Sequence, residues 1–215
     1  MAHGPVVHVI DDDESVRTAV ARLLGAAGYD VRAYASAGEF LLTGPGREPG
    51  CIVLDVRMPG PSGLELQEAM ATLGGSPLPV VFLTGHGDIP MSVRAMRAGA
   101  VDFLTKPVDR DALLDAVARA LARDSEARAG RGQLEDWHTR YLTLTAREVE
   151  VFERVVAGKL NKVIAADIGA AERTVKAHRA RVMEKMGADS FAALVHIADG
   201  LRAAGIVRLK PPSAG

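Results

Sequence analysis

The sequence predicts an α/β protein: a (βα)5 doubly wound parallel sheet, followed by a second domain that is all α. Three observations carry that prediction. Short apolar runs rich in β-branched residues recur five times over about the first 120 residues, alternating with helix-spaced amphipathic segments, as in a parallel sheet covered on both faces. Several of those runs end in a polar side chain, which is how strands of an open sheet bring ligand-binding groups to their carboxyl edge. The charge then changes sign. Through Arg123 there are 11 Lys+Arg against 15 Asp+Glu, a balance of −4, and from Asp124 onward 15 against 12, a balance of +3. An acidic module followed by a basic one points to a polyanionic partner for the second.

Val6-Val7-His8-Val9-Ile10 is the first strand and runs into Asp11-Asp12-Asp13-Glu14. A helix follows with Val16, Val20, Leu23 and Leu24 on one stripe, closed by Gly25 and Gly28. Tyr29 to Tyr34 reads as the second strand, and Ser36 with Glu39 has capping-box spacing at the start of a short helix through Leu42. The third strand, Cys51-Ile52-Val53-Leu54-Asp55, ends on a carboxylate ahead of a Pro59-Gly60 breaker. An Asp in that place serves chemistry at a strand tip or caps the turn, and the strand alone does not separate the two. Ser62 and Glu65 repeat the capping box and start a helix with Leu66, Met70 and Leu73. Pro79 to Thr84 is the fourth strand, and Asp88 with Pro90 opens the next helix. Val101 to Thr105 is the fifth strand, ended by Lys106-Pro107, and Asp109 caps a helix bearing Leu113, Leu114, Val117 and Leu121.

Residues 1–122 therefore form the first domain. From 123 to 141 the pattern weakens into charged residues, Ala, Gly130 and Gly132, and reads as a linker that is helical in part. A second domain spans 142–206, with a tail over 207–215. Thr145 and Glu148 form a third capping box ahead of Val149, Phe152, Val155 and Val156. A short helix from Asn161 to Ile168, a turn at Gly169 and a longer basic helix from Glu172 to Met186 make a helix-turn-helix, and a last helix begins at Ser190.

Composition excludes several functions. Aromatics are 4% against 48% hydrophobic residues, so the core is aliphatic. Cys51 is the single cysteine, which rules out an intrachain disulfide and a thiolate zinc site. The six histidines are scattered. No apolar run approaches the roughly 20 residues that span a bilayer, and no secretory signal opens the chain, so a cytoplasmic location is expected.

In a sheet of order 2-1-3-4-5 the tips Asp11, Asp12, Asp55, Thr84 and Lys106 converge on one crevice. Three crowded carboxylates repel one another and call for a hard divalent cation, Mg²⁺ or Mn²⁺. With Thr84 and Lys106 beside them, the group suits phosphoryl transfer to a carboxylate. This stretch resembles the receiver domain of bacterial two-component response regulators, a flavodoxin-like fold. The resemblance implies that Asp55 accepts phosphate from a partner histidine kinase. It also implies that Asp12, Asp55 and the Arg57 carbonyl hold the metal, with Asp11 acting through water. Thr84 and Phe103 match the family's switch pair, and Lys106 matches the lysine before a proline whose bond is usually cis. Arg57 and His86, two residues past Asp55 and Thr84, are placed to screen the water that attacks the acyl phosphate. An enzyme resembling the haloacid dehalogenase phosphohydrolases would need a second acid where Arg57 stands, so turnover is not expected beyond slow self-dephosphorylation.

In the basic helix, Val175, Val182 and Met186 mark the buried face, and Arg173, Ala177, Ala180 and Arg181 fall opposite. Small residues there let a helix settle into the major groove while surrounding cations meet phosphates. Residues 142–204 resemble the LuxR-type helix-turn-helix domain, and the combination resembles the FixJ branch of the NarL/FixJ response regulators. That resemblance implies that Lys176, Ala177 and Ala180 face bases of promoter DNA, and that Thr174, Arg181, Lys185 and Lys162 contact the backbone. It also implies a homodimer, formed on phosphorylation through the fourth helix, fifth strand and fifth helix, which binds half-sites about one helical turn apart, and RNA polymerase as a further partner. One departure is Ala170-Ala171 in place of a capping Ser or Thr, which costs the recognition helix about 1 kcal/mol.

Overall fold

Strands β1 (Val6–Ile10), β2 (Asp30–Tyr34), β3 (Gly50–Asp55), β4 (Val80–Thr84) and β5 (Asp102–Thr105) form one parallel sheet in the order β2-β1-β3-β4-β5. The computed structural model describes residues 4–46, 48–72, 78–85 and 89–207. Leu73, His86, Asp88 and residues 208–215, which figure in the sequence reading, lie outside that set. Every residue of β1, β3 and β4 is buried, as central strands covered on both faces require. Alternate side chains feed two cores. Ile52 and Leu54 join Phe40, Leu66 and Phe82 on one face, while Cys51 and Val53 join Val20, Leu24, Leu83, Leu113 and Val117 on the other.

The helices of this half are α1 (Glu14–Ala26), α2 (Ala37–Thr43), α3 (Gly63–Thr72), α4 (Ile89–Arg97) and α5 (Arg110–Leu142). Their starts are set by the caps the sequence advertises. The Asp13 carboxylate accepts from the Ser15 and Val16 N–H groups. Ser62 and Glu65 complete both halves of their box, and Asp109 accepts from Asp111 and Ala112. Two groups in this core are kept out of ordinary titration. Burial, helped by the Arg32 charge, pulls the His8 imidazole down to about 4. Burial pushes the Cys51 thiol up to about 12.

The stretch read as a partly helical linker is helix throughout, because α5 continues to Leu142. Gly130 and Gly132 suggested a break, but no proline interrupts the run and the Ala, Arg, Glu and Gln around them favour helix. The helix also keeps partners well past residue 122. The Asp124 carboxylate accepts from Gly50 N–H at 3.0 Å and from Arg128 Nε at 2.6 Å, and Arg128 Nη2 donates to the Glu48 carbonyl at 2.8 Å, which ties the helix to the entry of β3. Contacts divide the chain into two compact units, Met1–Arg128 and Ala129–Gly215.

In the second unit, α6 (Ala146–Val156), α7 (Asn161–Asp167), α8 (Glu172–Met186) and α9 (Phe191–Ala203) surround a core of Phe152, Ile164, Val175, Val182, Met186, Leu194 and Leu201. Leu134, Trp137 and Tyr141, from the last part of α5, pack against it. A Cβ on Gly200 would stand 2.5 Å from the Trp137 ring, so the absence of a side chain there admits the indole. Among the described residues, no helix is long and apolar enough to cross a membrane.

Candidate functional site

Register assembles the acidic pocket. Pairing of Ile10 with Leu54 puts Asp11 and Asp55 abreast at the carboxyl edge, and pairing of Asp55 with Leu83 and Thr84 with Thr105 brings Thr84 and Lys106 alongside. Oxygens of Asp11, Asp12 and Asp55 lie within 4.8 Å of one another, with Asp11 and Asp55 buried and Asp12 exposed. Lys106 Nζ stands 2.6 Å from Asp11 Oδ2 and 3.0 Å from Asp55 Oδ1. Its backbone N–H donates to the Thr84 carbonyl at 2.7 Å, and the Lys106–Pro107 bond is cis. Burial pushes the Asp55 carboxyl above the usual carboxylate range, Lys106 opposes that, and the charges of Asp11 and Asp12 add to it. Burial works to lower the Lys106 ammonium, but its bonds to Asp11 and Asp55 outweigh this and hold it above its ordinary value. One ammonium against three carboxylates leaves an all-oxygen, net-negative pocket, and that donor set fits a hard divalent cation.

Two supports for this pocket carry no local signal in the sequence. Arg17 Nη1 donates to the Asp11 carbonyl at 2.7 Å and so pins the main chain of the acidic turn. Gly63 approaches so closely that a Cβ there would sit 2.3 Å from the Asp55 carbonyl oxygen. Gly63→Ala is therefore expected to push back the backbone that carries Asp55, lowering stability by about 2 kcal/mol, as read by urea denaturation.

Thr84 is buried at the end of β4. Phe103 is half-buried with its ring 6.1 Å from that of Phe82, and Arg57 is exposed.

In the second unit, α8 presents Thr174, Lys176, Ala177, Ala180 and Arg181 to solvent with Arg173, while Val175, Val182 and Met186 are buried. Lys162 is exposed on α7. The N-terminus of α8 has no side-chain cap, Ala171 standing in that place. Lys185, near the end of α8, is half-buried. Its ammonium lies 2.6 Å from the buried Glu148 carboxylate and 2.9 Å from the Thr143 carbonyl, which ties α8 to α6. Arg179 is a second bracket, donating to Asn161 Oδ1 at 3.2 Å and lying over the Phe191 ring.

The Lys185 hydrogen bond, with those from Thr145, draws the Glu148 carboxyl down to about 2. A carboxyl that titrates lower in the folded chain than in the unfolded one contributes fully above its ordinary value of 4.5, and that contribution fades as pH falls toward about 2. Glu148→Gln is expected to cost about 2 kcal/mol at neutral pH. It should also flatten the acid side of the stability profile, followed through the fluorescence of Trp137, the single tryptophan.

Residues 7–118 match the family described as response regulator receiver domain, and residues 142–198 match bacterial regulatory proteins of the luxR family. Nodulation protein W of Bradyrhizobium diazoefficiens is 44% identical over 91% of this chain and 86% of its own length. The transcriptional regulatory protein FixJ of Azorhizobium caulinodans is 46% identical over 89% of this chain and 90% of its own length. Among solved structures, the response regulator StyR superposes with a TM-score of 0.79 at 44% identity, covering 92% of this chain and 99% of that one. Full-length FixJ from B. japonicum gives 0.56 at 40% identity, covering 95% and 98%. With both domain families matched and relatives similar over nearly their full length, this chain belongs to the response regulators that join a receiver domain to a LuxR-type DNA-binding domain and regulate transcription within two-component systems.

Proposed function

We propose that Asp55 is the phosphoacceptor and that its phosphorylation by a histidine kinase promotes dimerisation and sequence-specific promoter binding in the cytoplasm. The observation that carries this reading is the convergence of Asp11, Asp12, Asp55 and Lys106 at one sheet edge. An Asp55 carboxylate oxygen attacks the phosphorus of a phosphohistidine, a P–O bond forms, the P–N bond breaks and the imidazole leaves with a proton. Lys106 is within reach of the Asp55 carboxylate and neutralises charge on the transferred group. Asp11, Asp12, Asp55 and the Arg57 carbonyl would hold Mg²⁺ or Mn²⁺, which when bound offsets the charge on the phosphoryl oxygens. Thr84 follows the new phosphoryl group with its hydroxyl, and Phe103 on the neighbouring strand responds. Arg57 and His86 set the lifetime by limiting the attacking water. No turnover reaction is assigned to the protein.

Ile89, Val93 and Met96 are exposed apolar residues at helical spacing on α4, which supports pairing of receivers through α4, β5 and α5. Lys176, Ala177 and Ala180 then meet base edges, Lys162, Thr174 and Arg181 meet phosphates, and the bound dimer engages RNA polymerase. The test is to treat the full chain with acetyl phosphate and Mg²⁺, then to measure its mass in solution and its retention on promoter fragments. The expected result is a phosphate-dependent dimer that binds DNA at least about tenfold more tightly. Identical mass and binding with and without the donor would overturn the reading.

A further inference from the structure

The receiver has a second concavity, at the end of the sheet away from Asp55. A cavity of about 260 Å³ opens between α3, the segment entering β4, and α5. Met70, Leu78 and Val80 supply apolar wall. Gln67 also lines it and is only 7% exposed. Its Nε2 donates to the Ala98 carbonyl at 3.2 Å, which fixes the orientation of the amide, since a carbonyl accepts only from the nitrogen side. Gln67 Oε1 is buried and, among the described residues, meets no hydrogen-bond donor. A buried acceptor in that state is destabilising unless something fills its lone pairs.

The same cavity carries a cation. Arg123 is exposed on α5 and donates from Nη1 to the Gly99 carbonyl at 3.0 Å. Among the described residues no carboxylate pairs with it. Asp124, the acid that lines the cavity, is engaged by Arg128 at 2.6 Å and by the Gly50 N–H. The cavity thus offers a buried acceptor, an apolar wall and an unneutralised guanidinium, a set that matches one kind of molecule.

We propose that this cavity binds a small organic carboxylate carrying a hydrogen-bond donor at its other end, with the carboxylate on Arg123 and the donor on Gln67 Oε1. Such a site lies on the receiver but shares no residue with the acidic pocket, so its ligand acts as an input separate from phosphate. It also touches α5 at Arg123 and Ala127, beside the Asp124–Arg128 tie to β3. A bound molecule would stiffen that junction.

The test is an NMR titration of the ¹⁵N-labelled full chain with 4-hydroxybenzoate, which has a carboxylate, a ring and a phenolic donor. Saturable shifts at the Val80, Ala98 and Gly99 amides with a Kd of about 1 mM are expected. Gln67→Leu and Arg123→Met should each weaken binding about tenfold, as should replacing the probe by 4-methylbenzoate, which lacks the donor, or by 4-hydroxybenzyl alcohol, which lacks the carboxylate. Arg123 is exposed, so Arg123→Met leaves the fold intact and decides the matter even where Gln67→Leu disturbs packing. Absence of saturable shifts to about 10 mM, or equal binding by Arg123→Met and by the two altered probes, would overturn the proposal and leave the cavity to water.

Discussion

Asp55→Asn is expected to take up no phosphoryl group from acetyl phosphate and, in metal-free buffer, to be more stable than the parent. The first outcome follows from losing the nucleophilic oxygen. The second follows from electrostatics, since burial raises the Asp55 carboxyl above its ordinary 3.8, and Asp11 and Asp12 add to that against the opposing Lys106. A group whose pKa is raised on folding favours the folded chain while it is protonated. That benefit is complete below 3.8 and lost as pH rises through the folded value, so at neutral pH the ionised carboxylate weighs against folding. An amide removes the weight. Mg²⁺ should then reverse the order, stabilising the parent more than the variant, because the cation loses a charged ligand in Asp55→Asn. Urea denaturation in EDTA and in Mg²⁺ reads both effects. A variant less stable than the parent in EDTA would contradict the electrostatic account of the pocket, and phosphate uptake at the parent's rate would remove Asp55 from the chemistry.

Ala177→Glu is expected to weaken DNA binding by about 100-fold or more, the largest effect of a single change in the second unit. Ala177 is exposed on α8 between Arg173 and Arg181, so its small side chain leaves room for the helix to seat deeply, and a carboxylate there meets both steric and like-charge opposition. Glutamate is a good helix former, so the fold is preserved and Trp137 fluorescence should be unchanged. Arg173→Ala provides the contrast. It should weaken binding by a similar factor on every sequence and reduce the slope of affinity against salt by about 1. Fluorescence anisotropy at several salt concentrations measures both, and retention of binding within about threefold in Ala177→Glu would place the DNA on another face.

The residues that sequence made legible share one property, which is position relative to a periodic element. Asp11, Asp55, Thr84 and Lys106 each follow directly on or close an apolar run, and a parallel sheet has few ways to order such runs, so their convergence could be foreseen. Ser62–Glu65 and Thr145–Glu148 were equally plain, since a capping box is a local pattern. What stayed hidden depends on contacts between distant segments. Gly63 lies against the Asp55 carbonyl only because the loop after β3 folds back. The Lys185–Glu148 pair joins residues 37 apart, and although Lys185 sits three residues after buried Val182 and next to Met186, nothing local marks Glu148 as its partner. The continuity of α5 was masked by two glycines whose cost, about 1 kcal/mol each, is smaller than the helical preference of the surrounding residues together.

The burial of Cys51 has a practical consequence. With its thiol fully enclosed in β3 and pushed up to about 12, the native chain offers maleimides and disulfide reagents almost no thiolate at neutral pH. Cysteines introduced at exposed positions, one on α4 and one on α9, can therefore carry a donor and acceptor dye without first deleting the natural residue. Energy transfer between them would follow the two domains through a phosphorylation cycle in an otherwise unaltered background.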